Sequence, residues 1–194
     1  MSITLPSDIS LSSLPALQGL LERPSLPQAL QDVAAQARQQ GQPLALLTLD
    51  IDHFKDFCDR AEPEQSAEVL QQLAALLMRH KPGAAIAVHL GADEFALLLP
   101  GLDLPASSAL AEALRADVAQ AFASLDRPLT VTIGVAATPA GHRWQATELL
   151  ALADARMTFA KRRLQPHHNL VWAGALPSDW YLRLGIAADG WPAL

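Results

Sequence analysis

Cysteine is almost absent from this 194-residue chain: there is one, Cys58. An internal disulfide is therefore excluded, and so is a metal cluster built on thiolates. Aromatic residues are also scarce, at 5%, so the 51% hydrophobic content rests on Ala and Leu. No apolar run reaches the ~20 residues that span a bilayer, which removes membrane insertion. The first fourteen residues, Met1 to Leu14, lack the basic stretch and apolar core of a secretory signal, so the reading is a cytoplasmic protein. Positive charge is in deficit, with 14 Lys and Arg against 20 Asp and Glu and a formal net charge of -6. That balance opposes general contact with a phosphate backbone, and no nucleic-acid partner is expected. Internal repeats and low-complexity segments are lacking too, and the length is that of one domain.

What is present is a sequence punctuated by fourteen prolines, most of them between runs of regular pattern. Pro27 to Gly41 reads as a helix closed by glycine. Leu44 to Leu49 is a continuous apolar run of the kind covered on both faces of a sheet, with a loop beginning at Asp50. Val69, Leu70, Leu73, Leu76 and Leu77 give one helical stripe between Pro63 and Pro82. Ala84 to Leu90 and Phe95 to Leu99 read as two strands joined through Gly91-Ala92 in a hairpin. Leu110, Leu114, Val118, Phe122 and Leu125 mark a further helix, and Leu129 to Val135 alternates as a half-buried strand. A last helix carries Leu149, Leu150, Ala153, Met157 and Ala160, and Asn169 to Ala173 reads as a short strand. This order predicts an α/β (α+β) domain, a mixed sheet with helices packed on it.

Acids fall at two element ends. Asp50-Ile51-Asp52 closes a buried strand and Asp93-Glu94 lies at the hairpin tip, so neighbouring strands would bring them face to face. Carboxylates so placed can hold Mg²⁺, which bridges phosphates; a pair of such ions activates an attacking hydroxyl and stabilises a leaving phosphate. Solvated loops and turns carry the same acids, and spacing alone does not separate the two readings.

The residues around them do. Leu49-Asp50-Ile51-Asp52-His53-Phe54-Lys55 and Leu90-Gly91-Ala92-Asp93-Glu94-Phe95 resemble the two signature blocks of GGDEF (diguanylate cyclase) domains. Thr130 to Ala136 resembles that family's late strand, Ala153-Asp154 through Ala160-Lys161 its last helix, and Leu17 to Arg23 its opening segment. Several blocks in register from Pro15 to Val171 are more specific than any one motif. The resemblance implies a palm-like nucleotide-cyclase fold with a mixed, mostly antiparallel central sheet flanked by helices. In active members it implies condensation of two GTP molecules into cyclic di-GMP with Mg²⁺, across two domains held face to face. Carried over position by position, the metal ligands are Asp50, the Ile51 carbonyl and Asp93. Asp93 and Glu94 are the catalytic signature acids, and Lys55 and Lys161 the phosphate contacts.

The resemblance breaks where the base is read. The family's Asn is Cys58 here, and its Gly-His-x-x-Gly-Asp stretch is Glu62-Pro63-Glu64-Gln65-Ser66-Ala67. A thiol is a weak hydrogen-bonding group and alanine is none. Losing two base contacts of about 1–3 kcal/mol each weakens GTP on the order of a hundredfold or more. Glu62 and Glu64 add negative charge, and Pro63 reshapes the loop. Ala92 replaces the second signature glycine; a Gly-X turn of type II′ tolerates it, whereas positive φ at alanine would be strained. The Arg-x-x-Asp inhibitory site for product is Pro82 and Ala85, so product binding there is lost. A late arginine aligns with Gln165, with Arg162 and Arg163 beside it.

These departures lead to a degenerate, catalytically inactive GGDEF-like domain, its Asp93 and Glu94 vestigial, acting as a protein-interaction or regulatory module in bacterial cyclic di-GMP signalling. The alternatives are a weak or altered-specificity cyclase using Mg²⁺ and GTP, and a nucleotide receptor without turnover. A protein partner is expected, with GTP binding weak or absent. No cofactor is required, although Mg²⁺ would accompany any nucleotide. The division read from the sequence is an N-terminal extension over 1–14, the GGDEF-like domain over 15–173 and a Trp-bearing extension over 174–194. Trp180, Tyr181 and Trp191 in that extension either pack on the domain or anchor a partner. His167 and His168, adjacent and pointing to opposite faces, read as surface residues, and Cys58 is assigned no reaction.

Overall fold

The computed structural model describes residues 17, 19–139, 144–164, 168–188 and 191–194, apart from the side chain of Arg163. The expected N-terminal extension, Gln165 and His167 lie outside the described residues.

The order of elements is β1 (Leu21–Glu22), α1 (Leu26–Gln39), β2 (Leu44–Ile51), α2 (Phe54–Cys58), α3 (Pro63–His80), β3 (Ile86–Gly91), β4 (Glu94–Pro100), α4 (Leu104–Ala121), β5 (Val131–Ala137), α5 (Ala146–Arg163), β6 (Val171–Trp172) and α6 (Ser178–Leu184). The six strands form one sheet in the order β1-β3-β4-β2-β5-β6. The three central pairings are antiparallel, and both edge pairings, β1 with β3 and β5 with β6, are parallel. This is the mixed, helix-flanked sheet that the sequence implied.

Strand β2 sits at the centre, which is why Leu44 to Leu49 is apolar on both faces. Its alternate residues part cleanly. Ala45, Leu47, Leu49 and Ile51 join one core with α3 and α4, including Leu70, Leu73, Leu77, Leu114 and Val118. Leu44 and Leu46 join the other with α1 and α5, including Leu30, Val33, Leu149 and Leu152. The same parity puts Asp50 on the α5 side at the end of β2.

Helix α5 approaches the sheet closely because Gly134 of β5 has no side chain. A Cβ there would lie 2.1 Å from the Ala153 carbonyl oxygen and 2.4 Å from the Met157 nitrogen. Lys161 lies one turn beyond Met157 on the same face of α5, so this contact sets its height over the end of β2.

The C-terminal extension packs on the domain. Tyr181 is buried, and Trp180 and Trp191 are half-buried against the α1/α5 core. Trp180 meets Phe159 edge-on at 5.5 Å. Beneath it, Arg156 of α5 is wholly buried and donates to the carbonyls of Val135 at 2.7 Å and Pro192 at 2.8 Å. Burial holds its pKa below the usual guanidinium range, against the opposing influence of the Tyr181 hydroxyl. The large apolar side chains that this extension leaves exposed are Leu182 and Leu194, at 82% and 69%.

Candidate functional site

Two strand ends and one helix build the site. Asp50 stands directly opposite Glu94 in the β2–β4 ladder. One step on, the Ile51 N–H donates to the Asp93 carbonyl at 3.3 Å, joining the end of β2 to the hairpin tip. Lys161 donates to Asp50 Oδ1. Asp50, Asp93, Glu94 and Lys161, predicted together, are brought together.

Their electrostatics differ. Asp93 is 7% exposed, and its pKa is pushed up to about 6, chiefly by desolvation and next by the Asp50 carboxylate. Asp50 is also held above the usual carboxylate range: burial outweighs the attraction of Lys161, and Glu94 and Asp52 add repulsion. Two carboxylates that resist ionisation even with Lys161 beside them are the condition a bound metal ion relieves.

The hairpin tip departs from expectation by one residue. Gly91 pairs with Glu94, so Ala92 and Asp93 are the central residues of the turn, in place of Gly91-Ala92. Ala92 therefore takes a φ of +48°, the region alanine avoids. The strained outcome is the one realised. His89 Nε2 lies 3.2 Å from the Ala92 carbonyl and braces the turn from β3.

Asp52, read from the sequence as a fourth acid facing the hairpin, serves the framework instead. It is 1% exposed and accepts from Thr130 Oγ1 at 2.7 Å, Thr132 Oγ1 at 2.8 Å and the Asn169 N–H at 2.8 Å. His168 Nδ1 lies 3.2 Å away, with its ring edge-on to His53 at 4.5 Å. His168 is thus half-buried at the site and is not a surface residue: the carboxylate of Asp52 draws it in. Thr130, Thr132 and Asn169 were missed because their partner is about eighty residues or more away in sequence.

The remaining candidates lie around this cluster. Lys55 is exposed on α2 and sits 3.6 Å from Asp59. Cys58 is half-buried, and burial raises its thiol pKa against the opposing influence of Ser66, so it stays neutral. Pro63 is the first residue of α3, where its missing N–H costs nothing, and Gln65 caps the helix by accepting the Glu62 N–H at 3.2 Å. Ala67, half-buried, follows on the same helix. Pro82 and Ala85 form a closed turn, in which the Lys81 ammonium donates to the Ala85 carbonyl at 2.7 Å.

The donor types of Asp50, Asp93, Glu94 and the Ile51 carbonyl, all oxygen, fit a hard divalent cation. Among the described residues no three acidic, His or Cys side chains already converge on one metal position. Asp50 is instead turned to Lys161.

Comparison with known proteins agrees with this geometry. The family model described as "Diguanylate cyclase, GGDEF domain" matches residues 15–166. Diguanylate cyclase DgcP of Pseudomonas aeruginosa is 32% identical over 147 residues, covering 75% of this chain and 22% of DgcP. The chain spans well under half the length of the curated relatives it matches. The coiled coil and GGDEF domain of DgcB from Caulobacter crescentus, solved with cyclic di-GMP, superposes with a TM-score of 0.71 at 25% identity, covering 82% of this chain and 84% of that one. The active GGEEF domain of a diguanylate cyclase from Vibrio cholerae gives 0.70 at 25% identity, covering 78% and 96%. With both signature blocks at adjacent strand ends and the last-helix lysine between them, the chain belongs to the GGDEF domain family of cyclic di-GMP signalling.

Proposed function

We propose that this GGDEF domain has lost turnover of GTP and acts as a regulatory module through protein contacts in cyclic di-GMP signalling. The observation that carries the reading is the state of the positions that would read guanine. The Cys58 thiol is held neutral by burial, and Ala67 offers no polar atom. Glu62 and Pro63, with a capped first turn, stand where the family has its Gly-His pair. A guanine Watson–Crick edge brought here meets no pair of strong acceptors and donors. The partner is a protein, and the exposed Leu182 of α6, flanked by the Asp179–Arg183 ion pair at 2.9 Å, is a surface for it.

One observation favours a second reading, a weak or altered-specificity cyclase. Asp50, Asp93, Glu94 and Lys161 still stand together, and that set would hold Mg²⁺ and phosphate if a nucleotide were seated. The metal would supply charge neutralisation on the phosphates, while Lys161 and the hairpin acids orient the reacting groups. Calorimetric titration with GTP and Mg²⁺, with the mixture assayed for cyclic di-GMP by mass, separates the readings. No product and millimolar or weaker binding is the expected result; micromolar binding with product would overturn it. The double variant Cys58→Asn, Ala67→Asp is expected to tighten GTP by at least about tenfold, since each restored base contact is worth about 1–3 kcal/mol.

A further inference from the structure

We infer that Lys161 is a built-in counter-ion that closes the carboxylate cluster to divalent cations, so that a metal enters only when the Lys161 ammonium is drawn away. The inference rests on reading Asp50, Asp93 and Glu94 as the metal cluster, and it adds how that cluster is regulated.

The argument begins from where Lys161 spends its charge. Its ammonium bonds Asp50 Oδ1 and stands 3.7 Å from Asp52 Oδ1. The two carboxylates depend on it unequally. Asp52 keeps Thr130 Oγ1, Thr132 Oγ1 and the Asn169 N–H when the ammonium leaves. Asp50 has Lys161 as its one side-chain hydrogen-bond partner among the described residues. Displacing the lysine therefore exposes a single carboxylate, that of the metal position, and leaves the framework acid satisfied. The lysine side chain is 22% exposed and carries its ammonium on four flexible carbons, so the head has a path to solvent. A compact monovalent ammonium and a divalent cation compete for the same oxygens. An anion such as a phosphate that captures Lys161 would open Asp50 to metal at the same moment, which makes metal and phosphate binding mutually reinforcing through one side chain.

The test is metal alone, without nucleotide, so that loss of guanine recognition does not enter. Mg²⁺ and Mn²⁺ are titrated by calorimetry into the full chain and into its Lys161→Met, Lys161→Arg and Lys161→Met/Asp50→Asn variants, with thermal unfolding as a parallel readout. Lys161→Met is expected to bind metal about tenfold or more tightly than the parent, and to rise in Tm with metal where the parent does not. Lys161→Arg, which keeps the charge, is expected to stay weak, and the double variant to lose the gain. Equal affinity of Lys161→Met and parent, or absence of binding in both, would overturn the inference. Micromolar GTP binding with product in the parent would instead defeat the inactive-domain reading and leave this one standing.

Discussion

Replacing Asp93 by asparagine should make the protein more stable, and by an amount that depends on pH. Folding lifts this carboxyl from 3.8 to about 6, mainly by desolvation. At about 1.36 kcal/mol per unit, the charged form costs the folded state about 3 kcal/mol. An acid with a folded pKa above its unfolded one binds more protons when folded, so stability falls as pH rises between these two values and stays lowered above the higher one. The Asn variant keeps the shape and carries no charge. It should match the parent below about pH 4 and exceed it by about 3 kcal/mol near pH 7.5, or about 6–12 °C in Tm for a chain of this size. Urea denaturation of both proteins at the two pH values measures the difference. A gain of the same size at both, or none near pH 7.5, would refute the argument that the site holds an unfavourable charge. A charge so placed suits a site where a cation is met or a proton is moved, which makes this a functional test as well as a structural one.

The hairpin and the helix contact give two further expectations. Ala92→Gly should stabilise by about 0.5–1 kcal/mol: it relieves a left-handed penalty of about 1–2 kcal/mol and loses part of that to the greater freedom of unfolded glycine. Chemical denaturation checks it, and a destabilised variant would show that the positive φ is unstrained. Gly134→Ala should cost about 3 kcal/mol, because the added methyl meets backbone atoms of α5 that cannot rotate aside. The same change should separate Lys161 from Asp50, visible as tighter Mn²⁺ binding in whatever fraction remains folded.

The long elements were legible because each repeats its period several times. Strand β2, helix α3 and the β3–β4 hairpin each bury an unbroken stripe, and no alternative pattern competes. Helix α2, five residues from Phe54 to Cys58, and β1, two residues, are too short to show a period, and the loop expected after Asp50 hid both the last residues of β2 and α2. The turn was misplaced by one because a Gly-Ala pair signals a turn without saying which residue leads it; the ladder from Glu94 to Pro100 decides that. At the site, Asp50, Asp93, Glu94 and Lys161 were legible through the spacing of whole blocks. Asp52 and His168 were not. A carboxylate two residues from a metal position looks like a ligand in sequence, and its burial under Thr130, Thr132 and Asn169 exists only in three dimensions.

Arg156 bears on modularity. The family match stops at residue 166, yet this guanidinium, buried within the matched region, donates to the Pro192 carbonyl beyond it. A domain cut at the family boundary would lose that acceptor and the cover that separates this guanidinium from water. In this chain the tail is therefore part of the fold that α5 needs: a helix without this arginine would leave the Pro192 carbonyl without its buried donor.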